Sequence, residues 1–217
     1  MKKTAFLLMG DRWHDAAVTL PLIPQLLPED AWDVTATEDP AALYALPGRP
    51  DLLVNLKDPV ENNQIPTPAW CDARWTETAL AWVSEGTGFL AIHAALADLP
   101  KDHPMVRTLH HGAFVTHPAQ CPVSFVPTGE HPVTAGVEPF TFPENDEHYV
   151  MDMLEGTEAE LLGETRSEHG SQPGLWAHTY GRGRVCCVTP GHVTPNLLCP
   201  GYLRLLRNAA DWCAGVI

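Results

Sequence analysis

The sequence predicts one α/β domain spanning residues 1–217, built on a mainly parallel central sheet. Three observations carry this expectation. Short, continuous apolar runs recur along the chain, as in strands buried on both faces. A segment with helical periodicity separates two of them, the pattern of a β-α-β unit. The 217 residues suit one domain with a core large enough to need no disulfide.

Thr4–Met9 is the first such run. It stops at Gly10 and Asp11-Arg12 follows, so it is too short for a secretory h-region and reads as a strand. Ala16–Leu27 is apolar enough for a helix, but Pro21 and Pro24 bend or shorten it. Trp32–Thr37 alternates as a second strand, and Asp51–Leu56 is the next buried run. Within Asp72–Glu85, the residues Trp75, Ala79, Trp82 and Val83 fall on one helical face, and Gly86 supplies the stop. Gly88–Ile92 is a further buried strand.

Residues 94–150 change character and become rich in Pro, His and Gly, with short candidate strands at Ala113–Thr116 and Pro122–Val126. Long irregular stretches inside a domain are usually functional. Regularity returns at Glu160–Thr165, Gly174–Tyr180 and Arg184–Thr189, and a last helix is expected over Gly201–Cys213.

Composition narrows the function. Lys and Arg total 13 against 27 Asp and Glu, a net charge of −14. That sign repels phosphate backbones and anionic lipid, which argues against nucleic acid and membrane partners. The six cysteines include no CxxC pair. They read as reduced thiols of a cytoplasmic protein, with the adjacent Cys186 and Cys187 on opposite faces of a strand. No GxGxxG follows the first strand, and neither a GxxxxGKS/T nor a GxSxG motif is present, so nucleotide chemistry and ordinary serine hydrolysis lose support.

Histidines are the best lead among the 11 in the chain. His14, His93 and His192 each follow a predicted strand. In an open parallel sheet such ends share one rim, where ligands bind. A second group is His110-His111 through His117, and a third is Glu144-Asn145-Asp146-Glu147-His148-Tyr149. There Asp146 or Glu147 could serve as a general base or a metal ligand, or the segment could be a solvated acidic turn.

Several pieces match a known family in order and spacing. They are Gly88–His93, His111-Gly-Ala-Phe-Val-Thr-His117-Pro118, His131-Pro-Val-Thr-Ala-Gly136, Asp146-Glu147-His148-Tyr149, Trp176–Arg184, Gly191-His192 and the helix ending at Asp211-Trp212. The chain resembles the trehalose-utilisation (ThuA-like) family of the class I glutamine amidotransferase-like superfamily. The resemblance implies a flavodoxin-like three-layer sandwich. It places His93 at the elbow where amidotransferases carry their nucleophilic cysteine, and His192 at the late histidine. An imidazole does not replace that thiolate, so glutaminase chemistry is expected to be lost. Relatives often follow the elbow histidine with glycines, whereas this chain has Ala94-Ala95-Leu96.

The expected function is therefore carbohydrate utilisation, on a disaccharide or keto-sugar. His93, His192, Glu147 and Asp146 are the expected catalytic residues, and Trp13, His14, His111 and Tyr149 the expected substrate-binding ones. Trp70 is a further candidate for stacking on a sugar ring. A divalent metal such as zinc is the candidate cofactor, with its ligands drawn from His93, His192, Asp146 and Glu147. The competing reading is a sugar-binding or complex-assembly protein without catalysis. Self-association into a homo-oligomer is compatible with either.

Overall fold

The computed structural model describes residues 2–217. Strands β1 (Lys3–Leu8), β2 (Trp32–Thr37), β3 (Leu52–Asn55) and β4 (Gly88–Ile92) form where the apolar runs were expected. Strands β5 (Gly112–Thr116), β6 (Ser124–Pro127), β7 (Phe140–Thr141) and β8 (Val150–Met153) interrupt the irregular middle of the chain. Strands β9 (Glu160–Ser167), β10 (Gly170–Tyr180) and β11 (Gly183–Val188) complete the set.

Nine strands join in one sheet of order β2-β1-β3-β4-β11-β10-β9-β6-β7, and β5 pairs with β8 apart from it. The first five run parallel. The other four extend the sheet antiparallel, so the sheet is mixed. The reason is local: β9, β10 and β11 are joined by two-residue connections, which permit only antiparallel return.

Helices cover both faces. Residues 16–27 make two short turns, α1 (Ala16–Thr19) and α2 (Ile23–Leu26), with Pro24 inside the first turn of α2. Helix α3 (Ala73–Ser84) starts at Asp72, whose carboxylate accepts the Trp75 N–H at 2.8 Å. Its Trp75, Ala79 and Val83 pack on Phe6, Leu53, Phe89 and Cys187. After the turn α4 (Thr194–Leu197), helix α5 (Pro200–Cys213) packs Tyr202, Leu205, Leu206 and Ala209 on the other face, against Leu7, Val54, Leu90 and Cys186. Cys186 and Cys187 thus point to opposite faces, and all six cysteines are free thiols. Gly88 lets α5 come close, because a Cβ there would collide with the Cys213 carbonyl. Among the described residues, no helix is long and apolar enough to cross a membrane.

Candidate active site

The parallel half of the sheet delivers its polar residues along one edge. After β1 the chain turns at Gly10, in the left-handed region at φ +76°, and presents Asp11 and His14. After β4 it turns at His93, itself left-handed at φ +50°. After β11 it turns at Gly191, φ +124°, and presents His192. After β3 come Leu56, Lys57 and Asp58, all buried. Glu147 arrives from the segment ahead of β8 and completes the group.

His14, His93, His192 and Glu147 each offer one donor atom, and these atoms lie within 4.8 Å of one another. His192 Nδ1 is 3.0 Å from His14 Nε2 and 3.3 Å from His93 Nε2. Glu147 Oε2 is 3.4 Å from His93 Nε2, and its Oε1 is 3.4 Å from His192 Nδ1. His117 Nε2 approaches the same Oε1 at 3.7 Å.

The outer ring nitrogens are occupied. His93 Nδ1–H donates to the Thr189 carbonyl at 2.8 Å. His14 Nδ1–H donates to the Asp11 carboxylate at 2.9 Å. Each neutral ring therefore turns a bare Nε2 toward His192. A single hydrogen on His192 Nδ1 cannot satisfy two imidazole lone pairs and a carboxylate. The centre gathers lone pairs and calls for protons or a cation.

The donor set fits a divalent metal. Three imidazoles suit zinc, with Glu147 beside the position they would leave open to a ligand. Four contacts within the group are 3.0–3.4 Å, and all four donors lie within 4.8 Å of one another. Asp11 and Thr189 fix ring tautomer and orientation, as partners of metal-bound histidines do.

Burial works against the Glu147 carboxylate, but the imidazoles of His192 and His93 outweigh it and hold the group well below the usual carboxylate range. Burial likewise disfavours protonated His93, yet Glu147 and Asp146 raise its proton affinity. His14 is shifted down by burial, with His93 and His192 adding to the shift against the pull of Asp11. Asp58 is pushed up to about 7 by burial, against the Val60 N–H and with the help of Asp98 and Asp11.

A cavity of about 430 Å³ opens beside this cluster, and His14, Glu147, His192, Trp13, Tyr149 and Asp58 line it. Trp13 is 42% exposed and presents a flat apolar face. Tyr149 is buried, and its ring stacks on His93 with centroids 4.5 Å apart.

Not every expected residue is there. Asp146 is fully buried and turned away from the donors. Its carboxylate accepts the backbone N–H groups of Gly191, His192 and Glu147, and the Asn196 amide. It positions the loops that carry His192 and Glu147, and His14 stands in its expected place among the donors. His111 is also elsewhere: it stacks on His178 at 3.8 Å and is not among the cavity-lining residues. Trp70 packs edge-on against Trp75 and donates its Nε1–H to the Asp58 carbonyl. The expected set lacked Asp11, Asp58 and His117. Asp11 could have been found from its position three residues before His14. Asp58 could have been found as the residue just past the third buried run.

Fold and rim together define an α/β protein with a histidine–carboxylate centre at the carboxyl edge of its parallel strands. The chain belongs to the ThuA family, described as trehalose utilisation, whose model matches residues 6–213. A ThuA-like protein from Parabacteroides merdae is similar in structure, with TM-score 0.75 and 19% identity over 99% of this chain and 90% of that one. A ThuA-like protein from Bacteroides uniformis matches with TM-score 0.75 and 18% identity, over 97% and 91%. A β-galactosidase from Bacillus circulans matches with TM-score 0.57 and 12% identity, over 97% of this chain and 31% of that one. At these identities the likeness is one of fold. No curated protein matches the chain.

Proposed function

We propose that the protein is an enzyme of carbohydrate utilisation, acting on a carbonyl-bearing sugar such as a keto-disaccharide at a divalent metal held by three histidines. The observation that carries this is the convergence of His14 Nε2, His93 Nε2, His192 Nδ1 and a Glu147 oxygen within 4.8 Å. His14, His93 and His192 would hold the metal, with zinc the best fit, and it would supply Lewis acidity toward a carbonyl oxygen. Glu147 touches both the cluster and the cavity, so it is the residue that takes and returns a proton at the substrate. Trp13 offers a stacking face for a sugar ring, and Tyr149 holds the His93 ring in place.

The turn from β4 into a left-handed His93 supports kinship with the flavodoxin-like amidotransferase folds. With imidazole at that elbow, the proposal excludes glutamine hydrolysis. Six free thiols are in keeping with a reducing, cytoplasmic setting.

The test is elemental analysis of protein purified without chelator, followed by assays on keto-sugars and disaccharides. About one zinc per chain is expected, with Glu147→Gln lowering kcat by about 10²–10⁴-fold. Metal-free protein that binds sugar without turnover, and loses only affinity on His93→Ala, would make it a binding protein instead.

A further inference from the structure

The nine-stranded sheet ends differently at its two edges. At one edge, β7 is a strand of two residues. At the other, β2 runs for six residues and pairs only with β1, in unbroken register. Proline, lysine and bulges are the usual guards of an exposed edge, and β2 has none of them.

The outward groups of β2 follow from its ladder. The Lys3 N–H donates to the Ala31 carbonyl at 3.0 Å, and the Met9 N–H to the Thr37 carbonyl at 3.1 Å. Odd-numbered residues of β2 therefore face β1, and Trp32, Val34 and Ala36 turn their N–H and C=O groups away from the sheet. The Trp32 N–H is taken by the Pro28 carbonyl at 3.0 Å. Among the described residues, the N–H and C=O groups of Val34 and Ala36 have no partner. Beside them runs a groove of about 500 Å³, lined by Leu20, Ile23, Pro24 and Val34. Leu20 is 51% exposed there.

Charge restricts what can pair with this edge. Around it Glu29, Asp30, Asp33, Glu38 and Asp39 outnumber Lys2 and Lys3, so a second copy can approach only in a register that keeps carboxylates apart. An antiparallel pair centred on Asp33 sets two Asp33 side chains face to face, and one centred on Val34 makes them diagonal neighbours. Centred on Thr35, the pair sets Asp33 opposite Thr37 and Val34 opposite Ala36. Asp39 of the second copy then comes level with Ala31, next to Lys2, which already lies 3.4 Å from Asp33. Even-numbered side chains of both copies share one face, so the two Leu20 grooves lie on the same side of the joined sheet.

We propose that β2 is the contact of a two-fold homodimer, in which the strands of two copies pair antiparallel about Thr35 and join their sheets into one. The outward groups of Val34 and Ala36 then make four main-chain hydrogen bonds, and the contact is the same patch on both copies. Antiparallel pairing points the carboxyl edges of the two parallel sets in opposite directions, so both histidine centres stay open. The inference is independent of the carbohydrate reading.

Sedimentation equilibrium of the intact protein, from micromolar to millimolar concentration, tests it. A monomer–dimer equilibrium is expected. It should tighten with added salt, because screening relieves the repulsion between two chains of net charge −14. Thr35 is exposed, and Thr35→Asp sets two carboxylates opposite each other across the axis. It should weaken the pair by about ten-fold or more with an unchanged urea midpoint. Thr35→Lys should do the same, and an equimolar mixture of the two variants should pair again. A chain that stays single at millimolar concentration would overturn the inference. So would a dimer that neither substitution weakens.

Discussion

The Asp11 carboxylate lies 2.9 Å from His14 Nδ1, and its other oxygen accepts the Asp58 backbone N–H at 2.9 Å. One side chain thus ties together the ends of β1 and β3 and fixes which nitrogen of His14 faces the centre. Asp11→Asn should lower zinc affinity by about 10–100-fold, the usual loss when such a partner is removed. Chelator competition measures it. Unchanged affinity would show that the orientation of His14 is set elsewhere.

Asp146 and Glu147 are neighbours with different tasks. Asp146→Ala leaves buried donors of Gly191, His192 and Asn196 without an acceptor, and should cost at least about 3 kcal/mol in urea unfolding. Glu147→Gln should move the unfolding midpoint little while removing turnover. The reverse pattern would exchange their roles.

Burial pushes the His110 imidazole down to about 3, with positive charge on His103, His111 and His178 adding to the shift. Its unfolded value is near 6.5, so the sign follows directly. Below that pH the unfolded chain takes up a proton that the folded chain refuses. Stability should therefore fall as pH drops from about 6.5, and the loss should level off near 3. By pH 5 the contribution is about 2 kcal/mol. Neither ring nitrogen has a hydrogen-bond partner, and the ring stacks on Phe89, so phenylalanine fits the site. His110→Phe should raise the urea midpoint at pH 5 more than at pH 7, and equal shifts at both would refute the assignment.

A Cβ on Gly191 would lie 2.9 Å from Leu197 Cδ2, at a φ of +124° that side chains rarely adopt. Gly191→Ala should destabilise the fold by about 1–3 kcal/mol. It should also weaken metal binding by moving His192. Full retention of zinc with normal stability would mean that this turn tolerates either shape.

What the sequence disclosed depended on burial. The strands before His14, His93 and His192 are covered on both faces, so they read as unbroken apolar runs whose ends could be located. Asp58 follows an equally clear run but lies beyond Lys57, where no residue type announces a rim position. The antiparallel strands β9 and β10 carry more exposed residues and mixed composition, which is why the sheet looked mainly parallel. Adjacent residues in an extended segment point opposite ways. The run Asp146-Glu147 therefore held one inward acceptor and one cavity residue, and sequence alone could not say which was which.

The four donors come from positions 14, 93, 147 and 192, and the contact between His14 and His192 joins residues 178 apart. A cation shared by them would act as a reversible cross-link closing nearly the whole chain into one loop. Global unfolding would then require its release first. The protein's lifetime against proteolysis and heat would become a function of free metal concentration, and starvation for the metal would remove the enzyme as well as its activity.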